Sequence, residues 1–209
     1  MIEYVVEHNI DDRVLTRASQ ILRNGGLLCF PTATNWVVVA DPYNKKGVDK
    51  LYQLRHVENT KHFTVLCPNF KKAMEISFVT DAAYALIKKV TPGPYTFIME
   101  AQKKITKLLK ASKYDHQVGI RFPMQNLSKS ILETHGDVLI CTSITAEMME
   151  MEEGSFIYSA LIEDYFQNID MIIDPGEFEF IGSTTIVDFT SGEPVVLREG
   201  AGSTDIFAR

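Results

Sequence analysis

A chain of 209 residues that is 45% hydrophobic is long enough to bury a full core, and the expected organisation is a single domain over residues 1–209. A net charge of -6 and a pI near 5.4 exclude a protein whose overall field drives it onto nucleic acid or an anionic membrane. No apolar stretch approaches a membrane span and no charged-then-apolar export signal opens the chain, so the cytoplasm is the expected location.

Met1 to His8 reads as an edge strand. Asp11 or Asp12 caps a first helix with the apolar stripe Val14, Leu15, Ala18, Ile21 and Leu22, and Asn24-Gly25-Gly26 stops it. Strands follow at Leu27–Phe30 and Trp36–Ala40, and a helix through Val48, Leu51, Tyr52 and Leu54 delivers Arg55. Phe63–Cys67 reads as a strand, Thr80 caps a helix to Val90, and Thr91-Pro92-Gly93-Pro94 breaks it before the strand Tyr95–Ala101. A lysine-rich helix over Lys103–Lys113 precedes the strand Val118–Arg121; its lysines read as a solvated face ahead of a polyanion site. A helix near Leu127–Thr134 ends at Gly136, and Val138–Cys141 follows as a strand. The Met- and Glu-rich stretch from Thr145 to Ser155 has no period and suggests a loop or lid. A helix from Ser159 to Gln167 leads into the strand Ile169–Ile173, and two final strands flank Ser191-Gly192 as a hairpin. Helices and strands mix throughout, so the expected class is α/β with one twisted, mixed sheet.

Cys29, Cys67 and Cys141 sit in apolar runs without metal-type spacing and read as small buried hydrophobes. His8, His56, His116 and His135 read as surface residues. Phosphate loops, nucleophile elbows and histidine metal spacing are absent from the sequence. What recurs is an apolar run that ends in hydroxyls or an arginine: Phe30 into Pro31-Thr32-Ala33-Thr34, Ile120 into Arg121, Cys141 into Thr142-Ser143, and Leu197 into Arg198. Gly182-Ser183-Thr184-Thr185 opens a strand in the other sense. Polar groups at the ends of buried strands can converge on one rigid pocket, here rich in cations and neutral donors and poor in carboxylates. Taken singly, each motif has a local explanation: a self-capping turn for Thr32 and Thr34, a surface ion pair for Arg121, ordinary strand threonines for Thr184 and Thr185. Their order is what a local explanation leaves out.

That order resembles the YrdC/YciO family, the threonylcarbamoyl-AMP synthases. The family's Pro-Thr-x-Thr is matched by Pro31, Thr32 and Thr34, and its Lys-x-Arg region with a later lysine by Gln53-Leu54-Arg55 and Lys61. Pro-Gly-Pro-x-Thr is matched by Pro92 to Thr96, Val-x-x-Arg-x-Pro by Val118 to Pro123, and Ser-x-Asn by Ser143-Ile144-Thr145. Ser-Thr-x-x-Asp is matched by Thr184 to Asp188, and Arg-x-Gly by Arg198-Glu199-Gly200. The resemblance covers about residues 10–205. It implies a YrdC-like twisted sheet around a concave, positively charged cavity that joins L-threonine, bicarbonate and ATP, with Mg2+, into threonylcarbamoyl-AMP and releases pyrophosphate. In that picture Arg55, Lys61 and Ser143 are the catalytic groups. Arg55, Lys61, Ser143, Thr145 and Arg198 hold the nucleotide, Arg121 holds the threonine carboxylate, and Thr32, Thr34, Thr184 and Thr185 orient the substrate. No metal is held by protein side chains. A transfer complex acting on transfer RNA and double-stranded RNA are the implied partners.

Three departures stand out. Gln53 replaces a lysine, Thr145 replaces an asparagine, and Asn35-Trp36 replaces an aromatic-Gly-Leu region. Deleting one preorganised donor costs about 2–4 kcal/mol of transition-state stabilisation, so the pattern resembles the divergent YciO-type branch, with reduced or altered activity. The alternative is a nucleotide- or double-stranded-RNA-binding protein that keeps the cavity without the reaction.

Overall fold

A computed structural model describes residues 1–55, 62–109 and 112–207. The chain starts with an edge strand, β1 (Ile2–Tyr4), then helix α1 (Asp12–Arg23). Asp11 accepts the Arg13 backbone N–H at 2.8 Å to start α1, and Gly25, at φ 77°, turns the chain out of it. Strands β2 (Leu28–Pro31) and β3 (Trp36–Ala40) are buried along their whole length. Asn44 then links two helix ends. Its side-chain oxygen caps α2 (Lys45–Leu54) by accepting from Lys46 and Gly47 N–H, and its amide donates to the Arg23 carbonyl that closes α1, at 2.8 Å. Asn44→Ala therefore removes a start and a stop together, and urea denaturation should show a loss of about 1–2 kcal/mol.

Strand β4 (Thr64–Leu66) leads to two elements the sequence reading had not anticipated, α3 (Phe70–Ile76) and β5 (Ser77–Phe78). Asn69 caps α3 by accepting the Lys72 N–H at 3.0 Å. At seven residues the helix is too short for periodicity to declare it; it holds because Ala73 and Ile76 are buried in the main core. Thr80 caps α4 (Asp81–Val90), and a cis Thr91–Pro92 bond precedes β6 (Tyr95–Ala101). The expected lysine-rich helix is instead two short ones, α5 (Lys103–Thr106) and α6 (Ser112–Asp115). Lys104 pairs with Glu75 of α3 at 3.0 Å and lies over the Tyr43 ring, so this lysine is held against the fold rather than on a freely solvated face. Then come β7 (Gln117–Arg121), α7 (Asn126–His135), β8 (Leu139–Ser143), a 3-10 turn at Glu147–Met149, α8 (Ser159–Tyr165), β9 (Met171–Asp174), β10 (Thr185–Asp188) and β11 (Val195–Arg198). No described helix is long and apolar enough to cross a membrane.

The described strands form one mixed sheet in the order β1-β9-β2-β3-β8-β4-β7-β6-β10-β11, with β5 on β6. The last two strands pair antiparallel, as the hairpin reading requires. Register explains where polar side chains collect. Val39 sits opposite Cys141, Cys141 opposite Thr64, and Thr64 opposite Gly119. Gly119 is opposite Ile98, two residues from Thr96; Thr96 is opposite Ile186, and Ile186 opposite Arg198. Side chains alternate along strands, so all of these share one face with Arg121, two residues after Gly119. Over β9, β2, β3 and β8 that face is apolar and is covered by α1 and α7 through Leu15, Leu22, Leu127 and Ile131. Over β4, β7, β6 and β10 the same face carries Thr64, Arg121, Thr96 and Thr184. The opposite face packs Val38, Ile140, Val65, Ile120, Phe97 and Val187 into the larger core.

All three cysteines are buried and free, but His135 corrects the surface assignment. It is 4% exposed, because the last turn of α7 packs on α1 and the Arg23 guanidinium donates to its carbonyl at 2.8 Å. Its ring sits between the Ser19 hydroxyl, 3.4 Å from Nδ1, and Asp41, 3.6 Å from Nε2. His8 and His116 are exposed, and His56 lies outside the described residues.

Candidate functional site

The Pro-Thr-Ala-Thr turn leaves β2 with both threonines buried. Thr32 closes the turn: its N–H and its hydroxyl both donate to the Asn35 carbonyl, at 2.8 and 2.9 Å. The Thr32 and Thr34 hydroxyl oxygens are 3.2 Å apart, and Thr34 Oγ1 accepts from Arg121 Nη2 at 3.0 Å. A buried row of hydroxyls thus ends on a guanidinium delivered by the last residue of β7. Burial holds the Arg121 pKa below the ordinary arginine value, and the positive charge of Arg198 pushes it the same way. Among the described residues no carboxylate lies within ion-pair distance of Arg121 or Arg198. A desolvated cation without a carboxylate is costly, and an anionic ligand removes that cost.

Arg55 follows α2 at its C-terminal cap, donates Nη1 to the His62 carbonyl at 2.9 Å, and lies 5.3 Å from the Phe63 ring centre. Burial lowers its pKa too. His62 Nε2 meets Asp115 Oδ2 at 2.5 Å. Arg55, His62, Thr64 and Arg121 form one side of a cavity of about 270 Å3, and Cys141, Thr142 and Ser143 of β8 form another. Thr145, Glu147 and Met148 complete it, the 3-10 turn being anchored by buried Met149. Among the described lining residues Glu147 is the one carboxylate, so the walls are dominated by hydroxyls and guanidinium groups.

Beside this cavity a second cluster is tied to the chain's end. Arg198 donates Nε and Nη2 to the Thr184 carbonyl at 3.1 and 2.8 Å, and Nη2 also to Thr184 Oγ1 at 3.0 Å. Thr184 Oγ1 is 3.0 Å from Thr96 Oγ1. The Thr185 hydroxyl is used differently: it donates to the Gly202 carbonyl at 2.6 Å and accepts from Gly200 and Gly202 N–H at 3.0 and 3.1 Å. Those three bonds clamp the turn after β11 onto β10.

Of the residues singled out in the sequence, Arg55, Arg121, Ser143 and Thr145 share the cavity, and Thr34 and Thr32 reach it through Arg121. Thr184 and Arg198 adjoin it, Thr185 faces the 200–202 backbone, and Lys61 lies outside the described residues. Thr142, expected among the strand-end hydroxyls, lines the cavity too, whereas His62, Thr64 and Glu147 were not anticipated there. Thr96, which closes the Pro-Gly-Pro-Tyr-Thr motif, had no expected role in the site. Thr64 shares a face with Leu66, and only the pairing of Leu66 with Arg121 places that face at the site, so no local signal marked it. Cys141 lines the cavity yet burial pushes its pKa up to about 11, with Arg121 and Arg55 pulling the other way. The thiol is therefore neutral until the pH approaches that value. Iodoacetamide labelling at pH 8, followed by mass spectrometry, should modify Cys141 at least about a hundred-fold more slowly than free cysteine, whose pKa is near 8.5.

A mixed sheet with helices packed on it, one stretch of a face left open between Thr34, Arg121 and Ser143, is the YrdC-like architecture. The family model described as "Telomere recombination", which groups Sua5, YciO and YrdC, matches residues 20–200, and the chain belongs to this YrdC/YciO family. Within it the chain lies on the YciO branch. The uncharacterized protein YciO of Escherichia coli K12 is 29% identical, over 98% of this chain and 97% of its own length. The crystal structure of E. coli YciO superimposes with a TM-score of 0.86 at 28% identity, covering 100% of this chain and 99% of that one. The putative threonylcarbamoyl-AMP synthase of Methanocaldococcus jannaschii is 23% identical over 94% of this chain and 91% of its own length. Sua5 of Pyrococcus abyssi, solved with L-threonine, shares the fold with a TM-score of 0.82 at 22% identity, over 96% of this chain and 57% of that one.

Proposed function

We propose that residues 1–209 act as one YrdC-like domain in the cytoplasm, whose positively charged cavity carries out a threonylcarbamoyl-AMP synthase-type reaction with reduced or altered efficiency. Family membership supports the general type of reaction, and the observation that carries the reading is Arg121: a half-buried guanidinium, held by Thr34, in a cavity whose other wall is Ser143. In this reading the amino nitrogen of L-threonine bonds to the bicarbonate carbon, a C–O bond of bicarbonate breaks, and water leaves with one amine proton to give a carbamate. A carbamate oxygen then attacks the α-phosphorus of ATP, the bond from that phosphorus to the bridging oxygen breaks, and pyrophosphate leaves. Two anions must be brought together in line, so charge neutralisation and positioning do the work.

Arg121 would take the threonine carboxylate as a paired acceptor of two N–H bonds, with Thr34 and Thr32 fixing its fork. Arg55, Ser143, Thr145 and Arg198 would hold the nucleotide, with Arg55 and Ser143 nearest the reacting phosphate, and Lys61 is retained as a further phosphate group. Thr184 would orient the substrate through Arg198 and Thr96, and Thr185 would act by holding the 200–202 turn in place. Among the described residues no three His, Cys, Asp or Glu side chains gather at one point, so Mg2+ is assigned to the triphosphate it arrives with. Transfer RNA modification, through a transfer complex, is the proposed destination of the product.

A second reading, a nucleotide- or double-stranded-RNA-binding protein without the reaction, is favoured by two observations. Gln53 is exposed on the last turn of α2, and the Thr145 hydroxyl is used locally, accepting the Met148 N–H at 3.3 Å. Incubation with ATP, Mg2+, bicarbonate and labelled threonine separates the two. Pyrophosphate and threonylcarbamoyl-AMP above a heat-killed control support the synthase. ATP binding with no product overturns it in favour of the binder. Restoring the charge by Gln53→Lys is expected to raise the rate several-fold, up to about a hundred-fold if the missing cation is the main handicap; an unchanged rate would mean position 53 lies outside the site's electrostatic reach.

A further inference from the structure

A second cavity, of about 660 Å3, shares no lining residue with that of Arg55 and Arg121. Its walls are aromatic. Phe156 and Tyr158 stack with ring centres 6.1 Å apart, and Trp36 meets Phe178 edge to face at 5.3 Å. Phe156 and Tyr4 are 76% and 71% exposed, so large ring faces stand open to solvent beside the cavity instead of packing into the core. The other chemistry in the lining is acidic: Asp174, Glu177 and Glu179. The Ser159 hydroxyl and the Gly176 N–H hold Asp174, whereas Glu177 and Glu179 are exposed. Among the described residues no lysine, arginine or histidine lies within ion-pair distance of any of the three.

Aromatic faces present negative potential, and unpaired carboxylates add to it. The combination disfavours the anions that suit the first cavity and favours a cation with an apolar body. The volume lies within the range of small-molecule sites, roughly 300–1,000 Å3. We propose that this cavity binds a small organic cation, an alkylammonium or guanidinium group carried on an apolar frame. The ring faces would cover the apolar part and Glu177 and Glu179 would balance the charge. The two cavities lie along neighbouring stretches of chain. Trp36 directly follows Asn35, whose carbonyl closes the Thr32 turn, and Trp36 Nε1 donates to the Ile157 carbonyl at 3.0 Å. Ile181 N–H, just beyond Phe178 and Glu179, donates to the Ala33 carbonyl inside the Pro-Thr-Ala-Thr turn at 2.9 Å.

The proposal does not depend on the synthase reading, and its test uses the whole chain. Titration calorimetry with choline and with agmatine, against choline's neutral isostere 3,3-dimethyl-1-butanol, measures whether charge is recognised. Fluorescence of Trp36, the one tryptophan in the chain, locates the event. At least one cation is expected to bind saturably, about ten-fold or more tighter than the alcohol. Phe156→Ala and the pair Glu177→Gln with Glu179→Gln, all at exposed positions, should each weaken it at least about five-fold, while Arg121→Ala leaves it unchanged. Three results would overturn the proposal: no saturable binding of either cation, equal binding of choline and the alcohol, or a response lost with Arg121→Ala and kept in the glutamine pair.

Discussion

Replacing Arg121 by methionine is expected to weaken L-threonine binding by roughly ten- to a hundred-fold while leaving the protein at least as stable. Hydrogen bonds to a charged group contribute about 1.5–3 kcal/mol, and a carboxylate held by two such bonds loses both. Stability runs the other way. The unliganded protein keeps this guanidinium desolvated, near Arg198 and without a carboxylate among the described residues, and methionine supplies similar volume without the charge. Exchanging a half-buried charge that lacks a carboxylate partner for an apolar side chain is commonly neutral or stabilising, here by at most about 1 kcal/mol against the lost bond to Thr34. Calorimetric titration with threonine and with ATP, together with thermal unfolding, checks both halves. ATP affinity should change less than about three-fold, and equal loss of the two ligands would refute the division of labour between Arg121 and the Arg55–Arg198 side.

Gly200→Ala carries the largest expected effect on folding. A Cβ there would stand 2.3 Å from the Ser183 carbonyl oxygen and 2.6 Å from the Thr184 carbonyl carbon. Both are backbone atoms and cannot swing aside, so the turn after β11 must lift. Lifting it breaks the bonds that the Thr185 hydroxyl makes with Gly200 and Gly202 and moves Arg198 off Thr184. Overpacking with the loss of such bonds should cost about 3 kcal/mol in urea denaturation, and ATP affinity should fall about ten-fold with it. Gly119→Ala is the control, since its Cβ would meet nothing nearer than Thr96 Cγ2 at 3.5 Å, and it should unfold close to the parent. If the two variants were equally stable, the clamp would not be what holds the chain's end.

How much of this was legible beforehand follows the range of the signal. Helix α1 was readable because Asp11, a stripe at helical spacing and Asn24-Gly25 are all local, and the same holds for Thr80 with α4 and for the closing hairpin. Helix α3 was not, because seven residues carry too little period. His135 was misread because its burial comes from α1, more than a hundred residues away in the chain. Within the site, the resemblance picked out Arg55, Arg121, and the Ser143–Thr145 pair in three motifs, and they do line one cavity. Thr185 sat in an equally good motif, yet its hydroxyl is taken up by three backbone groups.

Caps, turn residues and apolar spacing are short-range preferences, so the order of strands and helices, and the polar groups waiting at their ends, are written along the chain itself. Which of those groups meet is another matter. It rests on strand register across partners such as Thr64, Cys141 and Gly119, and on helices α1 and α7 covering only half of one sheet face. Long-range pairing carries no local signature, because the free energy that selects a register is the burial of a whole face at once. Only the folded sheet brings the half-buried Arg121 against Thr34 with no carboxylate in reach among the described residues, and leaves the aromatic cavity beside Trp36 open.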